Sequence, residues 1–228
     1  MLKISKKRKE ILKKINNKKK YLLEEAFVLI KKCSIAKFNE SVDISIHLGI
    51  DYKRSDQIVR GFVIFPFNFK KSVKVLVFAK DEERKSALEA GADFVGMEDL
   101  IKKIKLKGIF FDVVVTSPKN MLILNSLGKI LGPRGLMPNK KSGTLSSDIF
   151  NTVKNIKLGQ VNYKSDKFGI INLSIGKSNF KISSLKSNFF SLLNSLKKNK
   201  PISLKNIYFR NIWVSSTMGI GVKINQQF

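Results

Sequence analysis

Few residues in this 228-residue sequence could carry out enzyme chemistry. His47 is the single histidine and lies well along the chain from Cys33, the single cysteine, so the ligand cluster that a zinc site needs is missing. In GPRGLMPNKKSG (132–143), Lys140 stands where a phosphate-binding P-loop requires glycine before its Lys-Ser pair. We therefore expect a non-enzymatic protein with neither a metal nor a cofactor.

Basic residues beside aromatic or flexible apolar ones point to binding instead of catalysis. Lys37 and Phe38 directly precede an alternating strand pattern, and an aromatic ring beside a basic residue can stack on RNA. The same pattern also fits Phe38 as a core residue. Thr217-Met218-Gly219 offers a hydroxyl, a flexible side chain and close backbone approach, or simply a hairpin turn. DKFG (166–169) indicates a turn.

A second basic segment lies in the middle of the chain. Residues 132–141 contain two glycines, two prolines and three basic residues, namely Arg134, Lys140 and Lys141. The stretch is long for a mere connection. We expect a constrained and exposed basic loop.

The net charge is the strongest sign of a partner. Forty-four basic and 17 acidic residues give a net charge of +27. Such an excess repels itself, and its usual counterpart is a polyanion, most often nucleic acid. The abundance of lysine and asparagine also fits the drift in composition of an AT-rich genome. The excess lies in 1–32, 68–159 and 160–228, whereas 33–67 is neutral.

The compartment can be predicted from the same sequence. One cysteine favours a reducing environment. No apolar run reaches the roughly 20 residues of a membrane span, and no signal-peptide core follows Met1. We expect a cytoplasmic protein without a membrane or small-molecule partner; a mitochondrial transit peptide is the competing interpretation of the basic start.

Hydrophobic periodicity separates two styles of structure. The first 32 residues show helical patterns, and 42–50 alternates apolar and polar residues like a strand with one buried face. Between 73 and 157, apolar runs alternate with helical patterns, which indicates βαβ units around a parallel sheet. The remainder indicates strands, a helix capped by Ser183 or Ser184, and a final hairpin.

These patterns predict a two-domain protein of combined α/β and α+β class. Residues 1–67 and 160–228 form a discontinuous α+β domain. Residues 68–159 form an inserted Rossmann-like α/β domain with a parallel sheet.

Six segments together resemble the large-subunit ribosomal protein L-one family. They occur in family-like order and spacing: AKFNESVDISIHLGID (36–51), RSDQIVRG (54–61), EAGADFVG (89–96), GKILGPRGLMPN (128–139), GKSNF (176–180) and TMGIGVKIN (217–225). The segment 128–139 is the most specific of them.

The resemblance implies a function in the ribosome. It implies binding to large-subunit rRNA at the mobile stalk, assistance in releasing deacylated tRNA from the exit site, and contact with other large-subunit components. It also implies translational repression of the protein's own operon through binding of its mRNA. The setting is a bacterial cytoplasm, with an organellar ribosome as the alternative. Two rival functions are a general basic RNA-binding scaffold and a nucleotide-dependent RNA-modifying enzyme.

Transferred residue by residue, the resemblance also implies the RNA contacts. In the terminal domain these are Lys37, Phe38, Glu40 and Ser41; Arg54, Ser55, Asp56, Gln57 and Arg60; Asp166, Lys167 and Gly169; and Thr217, Met218 and Gly219. In the middle domain, Lys129, Arg134, Lys140 and Lys141 form a further candidate loop for RNA or tRNA contact.

The chain departs from the family pattern at three places. PFNFKK (66–71) replaces a turn that usually contains glycine, which leaves hinge flexibility there an open question. Ile220 stands where proline is common. Leu22 replaces a serine or threonine, so the helix after it is expected to lack a good cap.

Overall fold

The computed structural model describes residues 15–16, 19–34, 36–51, 54–69, 73–204 and 207–225. The chain divides into two compact units, one of Met1–Phe69 with Tyr163–Phe228 and one of Lys70–Asn162. We call them the terminal unit and the inserted unit. Of the helix predicted for the first 32 residues, 1–14 and 17–18 lie outside the described residues.

A four-stranded antiparallel sheet forms the centre of the terminal unit. Its order is β7-β1-β8-β9, and the strands are β1 (Ser41–Leu48), β7 (Ile170–Lys177), β8 (Phe209–Ser216) and β9 (Val222–Lys223). In the central strand β1, buried residues alternate with partly exposed ones along its whole length. This two-residue period places every second side chain in the core.

Two helices cover one face of this sheet. They are α1 (Leu23–Cys33) and α7 (Ile182–Lys198), whose Phe27 and Phe189 rings meet edge to face with centroids 6.4 Å apart. α1 begins after Leu22 without a side-chain cap, as the sequence predicted. The predicted cap of α7 at Ser183 or Ser184 is wrong, because Lys181 is already the extended residue before the helix and both serines lie inside its first turn.

A buried asparagine anchors the chain where it leaves the terminal unit. Asn188 of α7 accepts a hydrogen bond from the Phe67 backbone N–H at 3.1 Å. It donates to the backbone carbonyls of Phe67 at 2.9 Å and Ile175 at 2.8 Å. The PFNFKK segment is therefore held at Phe67 by hydrogen bonds to the helix α7.

A separate two-stranded sheet pairs β2 (Arg60–Ile64) with β6 (Gln160–Lys164).

The inserted unit contains a three-stranded parallel sheet of order β4-β3-β5. The strands are β3 (Val75–Phe78), β4 (Phe94–Gly96) and β5 (Val113–Thr116). Its helices are α2 (Asp81–Glu89), α3 (Glu98–Lys107), α4 (Met121–Leu124), α5 (Gly128–Leu131) and α6 (Ile149–Lys157). Short 3-10 helices occupy Pro118–Asn120, Asn125–Leu127 and Lys140–Ser142 of this unit, and another occupies Ser55–Gln57 of the terminal unit.

Helices cover both faces of the parallel sheet. Leu76 and Phe78 pack with residues of α3, α4 and α5, whereas Val75 and Val77 pack with residues of α2 and α6. All four residues of β3 are consequently buried. This is the expected burial of a parallel strand between two helical layers, and it confirms the predicted fold class.

Candidate nucleic-acid interface

The predicted site residues of the terminal unit lie at two opposite ends of the antiparallel sheet. At one end β1 starts, and Ser41 pairs there with Lys177 of β7; we call it the Phe38 end. At the other end β1 finishes, and His47 pairs with Ile170 of β7; we call it the Lys167 end. Seven residue steps of β1 separate the two ends by about 23 Å.

Two large apolar side chains are exposed at the Phe38 end. Phe38 is 56% exposed and Met218 is 63% exposed. The alternative of Phe38 as a core residue is therefore excluded. Lys37 beside it is also exposed. The arrangement offers two apolar contact surfaces and a positive charge to a ligand, which suits the bases and phosphates of RNA.

Glu40 lies behind this surface and is completely buried. One carboxylate oxygen accepts hydrogen bonds from the Ser34 hydroxyl at 2.8 Å and the Ala36 N–H at 3.0 Å. The other accepts from the Met218 N–H at 3.1 Å. Burial by itself raises the pKa of this carboxyl, but these hydrogen bonds outweigh it and hold the pKa below its ordinary value.

The role predicted for Glu40 therefore needs a correction. A carboxylate with no exposed surface does not touch RNA directly. Its hydrogen bonds instead join the segment before β1 to the turn after β8. Glu40 is a positioning residue that fixes the places of Phe38 and Met218.

Ser41 and Thr217 also serve the structure of the Phe38 end. The Ser41 N–H donates to the Thr217 hydroxyl at 3.0 Å, and the Thr217 N–H donates to the Ser41 carbonyl at 3.1 Å. The Lys177 ammonium donates to the Ser41 hydroxyl at 2.8 Å. Gly219 is needed for this packing, because a Cβ there would lie 2.3 Å from the Ser216 hydroxyl oxygen.

The Lys167 end is built around a tight turn. Gly169 has a φ of +72°, which favours glycine, and its carbonyl accepts a hydrogen bond from the Leu48 N–H at 2.9 Å. The Asp166 carbonyl accepts from the Gly169 N–H at 3.1 Å. This turn projects Lys167 and Phe168, and Phe168 is 73% exposed. Sequence reasoning missed Phe168, although a phenylalanine inside a polar turn was the available signal.

A basic concavity lies beside this turn. Its lining consists of Ile50, Ile58, Arg60, Lys164, Ser165, Asp166 and Lys167. Arg54 and Asp56 are exposed nearby, whereas Gln57 is buried and accepts a hydrogen bond from the Asp51 N–H at 2.7 Å. Gln57 thus holds the loop, and the side chain of Ser55 lies outside the described part of the structure.

A polar face of the sheet connects the two ends. The face is defined by the partly exposed or exposed side chains opposite the helices: Asp43, Ser45, His47, Asn172, Ser174, Asn211, Trp213 and Ser215. Asp43, Ser45 and His47 lie there, as the alternation of polar and apolar residues over 42–50 predicted. The members that β7 and β8 contribute were missed.

The basic loop of the inserted unit is exposed and locally ordered. Lys129 lies in α5, and Arg134, Lys140 and Lys141 follow it, all four exposed. The Asn139 side chain accepts a hydrogen bond from the Lys141 N–H at 2.9 Å, and Gly143 ends the turn with a φ of +68°. This loop belongs to the inserted unit.

Two further features are absent from the residues that the structure describes. Among them, no group of three or more histidine, cysteine, aspartate or glutamate side chains could hold a metal ion. No helix within the described ranges has the length and apolar character to cross a membrane.

Comparison with known proteins gives consistent matches along the chain. The sequence profile of the Ribosomal protein L1p/L10e family matches residues 29–220. "Large ribosomal subunit protein uL1" of Burkholderia vietnamiensis (strain G4 / LMG 22486) is 50% identical over 226 residues, which are 99% of this chain and 97% of that protein. The protein of the same name from Nitrosomonas europaea is 47% identical over 225 residues, 99% of this chain and 98% of that protein.

These matches confirm the resemblance drawn from the six sequence segments. Proteins of the matching family are structural ribosomal proteins and not catalysts, which confirms the prediction that the chain is not an enzyme. The chain belongs to the Ribosomal protein L1p/L10e family.

Proposed function

We propose that this protein is a component of the large ribosomal subunit in a bacterial cytoplasm and that its terminal unit binds large-subunit rRNA at the mobile stalk. The observation that carries the proposal is the pair of basic, aromatic sheet ends joined by one polar face. Its relatives, named as large ribosomal subunit proteins, support the setting.

The two sheet ends suit different parts of an RNA. Lysine and arginine side chains such as Lys37, Lys167 and Arg60 bind phosphates and set the position of the RNA. Phe38 and Met218 lie exposed beside Lys37 and suit unstacked bases or riboses. Because about 23 Å separates the ends, an RNA that touches both must have a shape that spans the sheet. Shape recognition is the usual basis of binding to folded RNA.

The buried hydrogen bonds make this surface rigid. Glu40 holds the Met218 N–H, and Ser41 exchanges backbone hydrogen bonds with Thr217. A surface fixed before binding loses less conformational entropy when the RNA arrives. Ser41, Thr217, Gly219, Gln57 and Gly169 therefore contribute to binding mainly by holding the contact residues in place.

Two finer functions are part of the proposal. The exposed basic loop with Lys129, Arg134, Lys140 and Lys141 suits contact with exit-site tRNA, whose release the protein assists. The RNA surface of the terminal unit also suits the protein's own operon mRNA where that mRNA adopts a fold like the stalk RNA. Binding there represses translation of the operon.

The test is a competition experiment with the full chain. Binding of a labelled stalk RNA fragment is measured against scrambled RNA and bulk tRNA over a range of salt concentrations. We expect stalk RNA to retain a preference at high salt, because contacts of apolar side chains are not screened while phosphate contacts are. Equal affinity for all three RNAs, lost together as salt rises, would establish the general basic scaffold instead.

A matched pair of variants localises the binding. Phe38→Ala removes an exposed aromatic side chain from the Phe38 end, whereas Phe150→Ala removes one from α6 of the inserted unit. We expect a loss of affinity of about tenfold for the first, which is the usual scale of one stacked base, and no loss for the second.

A further inference from the structure

We propose that Trp213, in the middle of the polar face, is a stacking site for one unpaired nucleobase, and that Lys223 then contacts the adjoining phosphate. The inference rests on the proposed function, because it takes the ligand to be RNA. It adds a base-binding position between the two predicted ends.

The register of the sheet places Trp213 on the polar face. Trp213 of β8 pairs with Ser45 of β1 on one side and with Lys223 of β9 on the other. Directly paired residues point their side chains to the same face. Ile212 and Val214, on either side of Trp213 in β8, are completely buried in the core. Trp213 therefore points away from the core, and it is partly exposed.

The neighbours of the indole leave room for a flat ligand. Ser45 and Ser215 are small, and a Cβ added at Gly221 would already lie 3.6 Å from Cε3 of the indole. The ring thus rests beside a position that has no side chain. A broad aromatic surface among small polar groups is the kind of platform on which sheet proteins stack unpaired bases.

The charges on this face favour a base over a phosphate at Trp213. The Lys223 ammonium lies 5.6 Å from the indole centroid, a cation–π contact. Asp43 is also on the polar face and carries the opposite charge. The charges near Trp213 therefore partly cancel, whereas the lysines and arginine of the Lys167 end give that end an excess of positive charge. Because Lys223 has a flexible stem, its ammonium can leave the ring for a phosphate when a base arrives.

The position of Trp213 also makes the proposed surface continuous. Its partner Ser45 is four residue steps from Ser41, or about 13 Å along β1. The exposed Phe38 and Phe168 lie at the two ends. An RNA that reaches both ends across the polar face can therefore contact the indole between them.

The test uses the fact that Trp213 is the single tryptophan of the chain. The full-length protein is titrated with stalk RNA labelled at its end. RNA anisotropy reports binding, and indole emission reports stacking in the same sample. We expect the emission to be strongly quenched, with the same midpoint as the anisotropy change.

Two variants separate stacking from mere proximity. Trp213→Phe keeps an aromatic face, whereas Trp213→Leu keeps an apolar side chain without one. We expect Trp213→Leu to weaken stalk RNA binding by about 5- to 150-fold, the range measured for a stacked base, and Trp213→Phe to recover most of that loss. Melting curves show whether each variant is folded. If a variant does not fold, quenching of the indole emission in the unmodified protein still tests the proposal.

The outcomes distinguish the two proposals. Specific binding without quenching, with both variants binding normally, overturns the stacking site and leaves the proposed function standing. Absence of any preference for stalk RNA overturns the proposed function, and the stacking site falls with it.

Discussion

The four-stranded antiparallel sheet and the three-stranded parallel sheet of this protein are covered in different ways. The antiparallel sheet of the terminal unit has helices on one face, and its central strand β1 alternates buried and partly exposed residues. The parallel sheet of the inserted unit has apolar clusters on both faces, and every residue of β3 is buried. The difference follows from connection type, because parallel strands need crossover helices that cover the sheet.

Coverage determines where each unit can present a ligand surface. In the inserted unit only loops and helix exteriors remain, and its candidate RNA residues are in a helix and the loop after it. In the terminal unit a whole face with two ends remains for the ligand. A rigid sheet positions side chains more accurately than a loop does, so we assign specific recognition to the terminal unit.

The largest expected effect is a loss of stability in the inserted unit that leaves RNA recognition unchanged. Leu76→Ala removes a fully buried side chain between β3 and the helices. Such truncations cost about 2–5 kcal/mol of unfolding free energy. We expect this loss in chemical denaturation, with stalk RNA affinity unchanged at temperatures where the variant is folded. A parallel loss of specific affinity would show that recognition is shared between the units.

The next largest effect is expected when the buried hydrogen-bond acceptor of the Phe38 end is removed. Glu40→Ala leaves the hydrogen-bond donors of Ser34, Ala36 and Met218 without their acceptor. Each unsatisfied buried group costs about 1–3 kcal/mol, partly offset by relaxation, so we expect a loss of about 3 kcal/mol together with weaker RNA binding. The matched control is Glu24→Ala, which breaks an exposed ion pair with Lys186 and is expected to cost under about 1 kcal/mol. Equal effects of the two variants would remove Glu40 from its positioning role.

Glu40 also predicts a pH dependence. Its pKa in the folded protein lies below the ordinary value of 4.5. The unfolded chain therefore takes up the proton first as pH falls. The stabilisation is complete above about pH 4.5 and is lost as the pH falls from there through the folded pKa. Denaturation midpoints of the protein and of Glu40→Gln should differ at pH 7 and converge in acid; a constant difference contradicts the assignment.

A smaller effect concerns Thr217. From sequence alone, Thr217→Val is expected to remove an RNA contact with little effect on the fold. In the structure its hydroxyl instead accepts the Ser41 N–H. We therefore expect a loss of about 1 kcal/mol of stability, the net value of one hydrogen bond, accompanied by weaker RNA binding. Thr217→Ser keeps the hydroxyl and should restore both. If Thr217→Val leaves the stability unchanged, the hydroxyl does not stabilise the fold, and the interpretation of Thr217 as a direct RNA contact is restored.

The smallest effect on stability belongs to the polar face. Asn172 is exposed opposite Ser45, and its side-chain oxygen accepts a hydrogen bond from the Ser45 hydroxyl. We expect Asn172→Ala to change the unfolding free energy by less than about 0.5 kcal/mol, as for most surface sites. Stalk RNA affinity should still fall a few-fold. A variant that binds like the unmodified protein would restrict the RNA surface to the two ends.

The fold was more predictable than the site. Alternation in β1 and the continuous apolar run of β3 are local patterns, and they were sufficient for the fold class. Glu40 could not be assigned from sequence, because one of its hydrogen-bond donors, the Met218 N–H, is 178 residues away along the chain. Trp213 was missed because apolar residues occur at both alternating sets of positions in the run NIYFRNIWVSS. The sequence therefore does not show which set faces the core. The register with Ser45 supplies that phase.

Lysine reactivity tests the central assignment most directly, because both units carry exposed lysines of the same chemistry. The full chain is acylated at low reagent concentration with and without stalk RNA, and each lysine is quantified by mass spectrometry. We predict strong protection of Lys37 and Lys167 in the terminal unit and little protection of Lys102 and Lys103 on α3 of the inserted unit, all four of which are exposed. Equal protection across both units, or protection concentrated on α3, would contradict the assignment of specific recognition to the terminal unit.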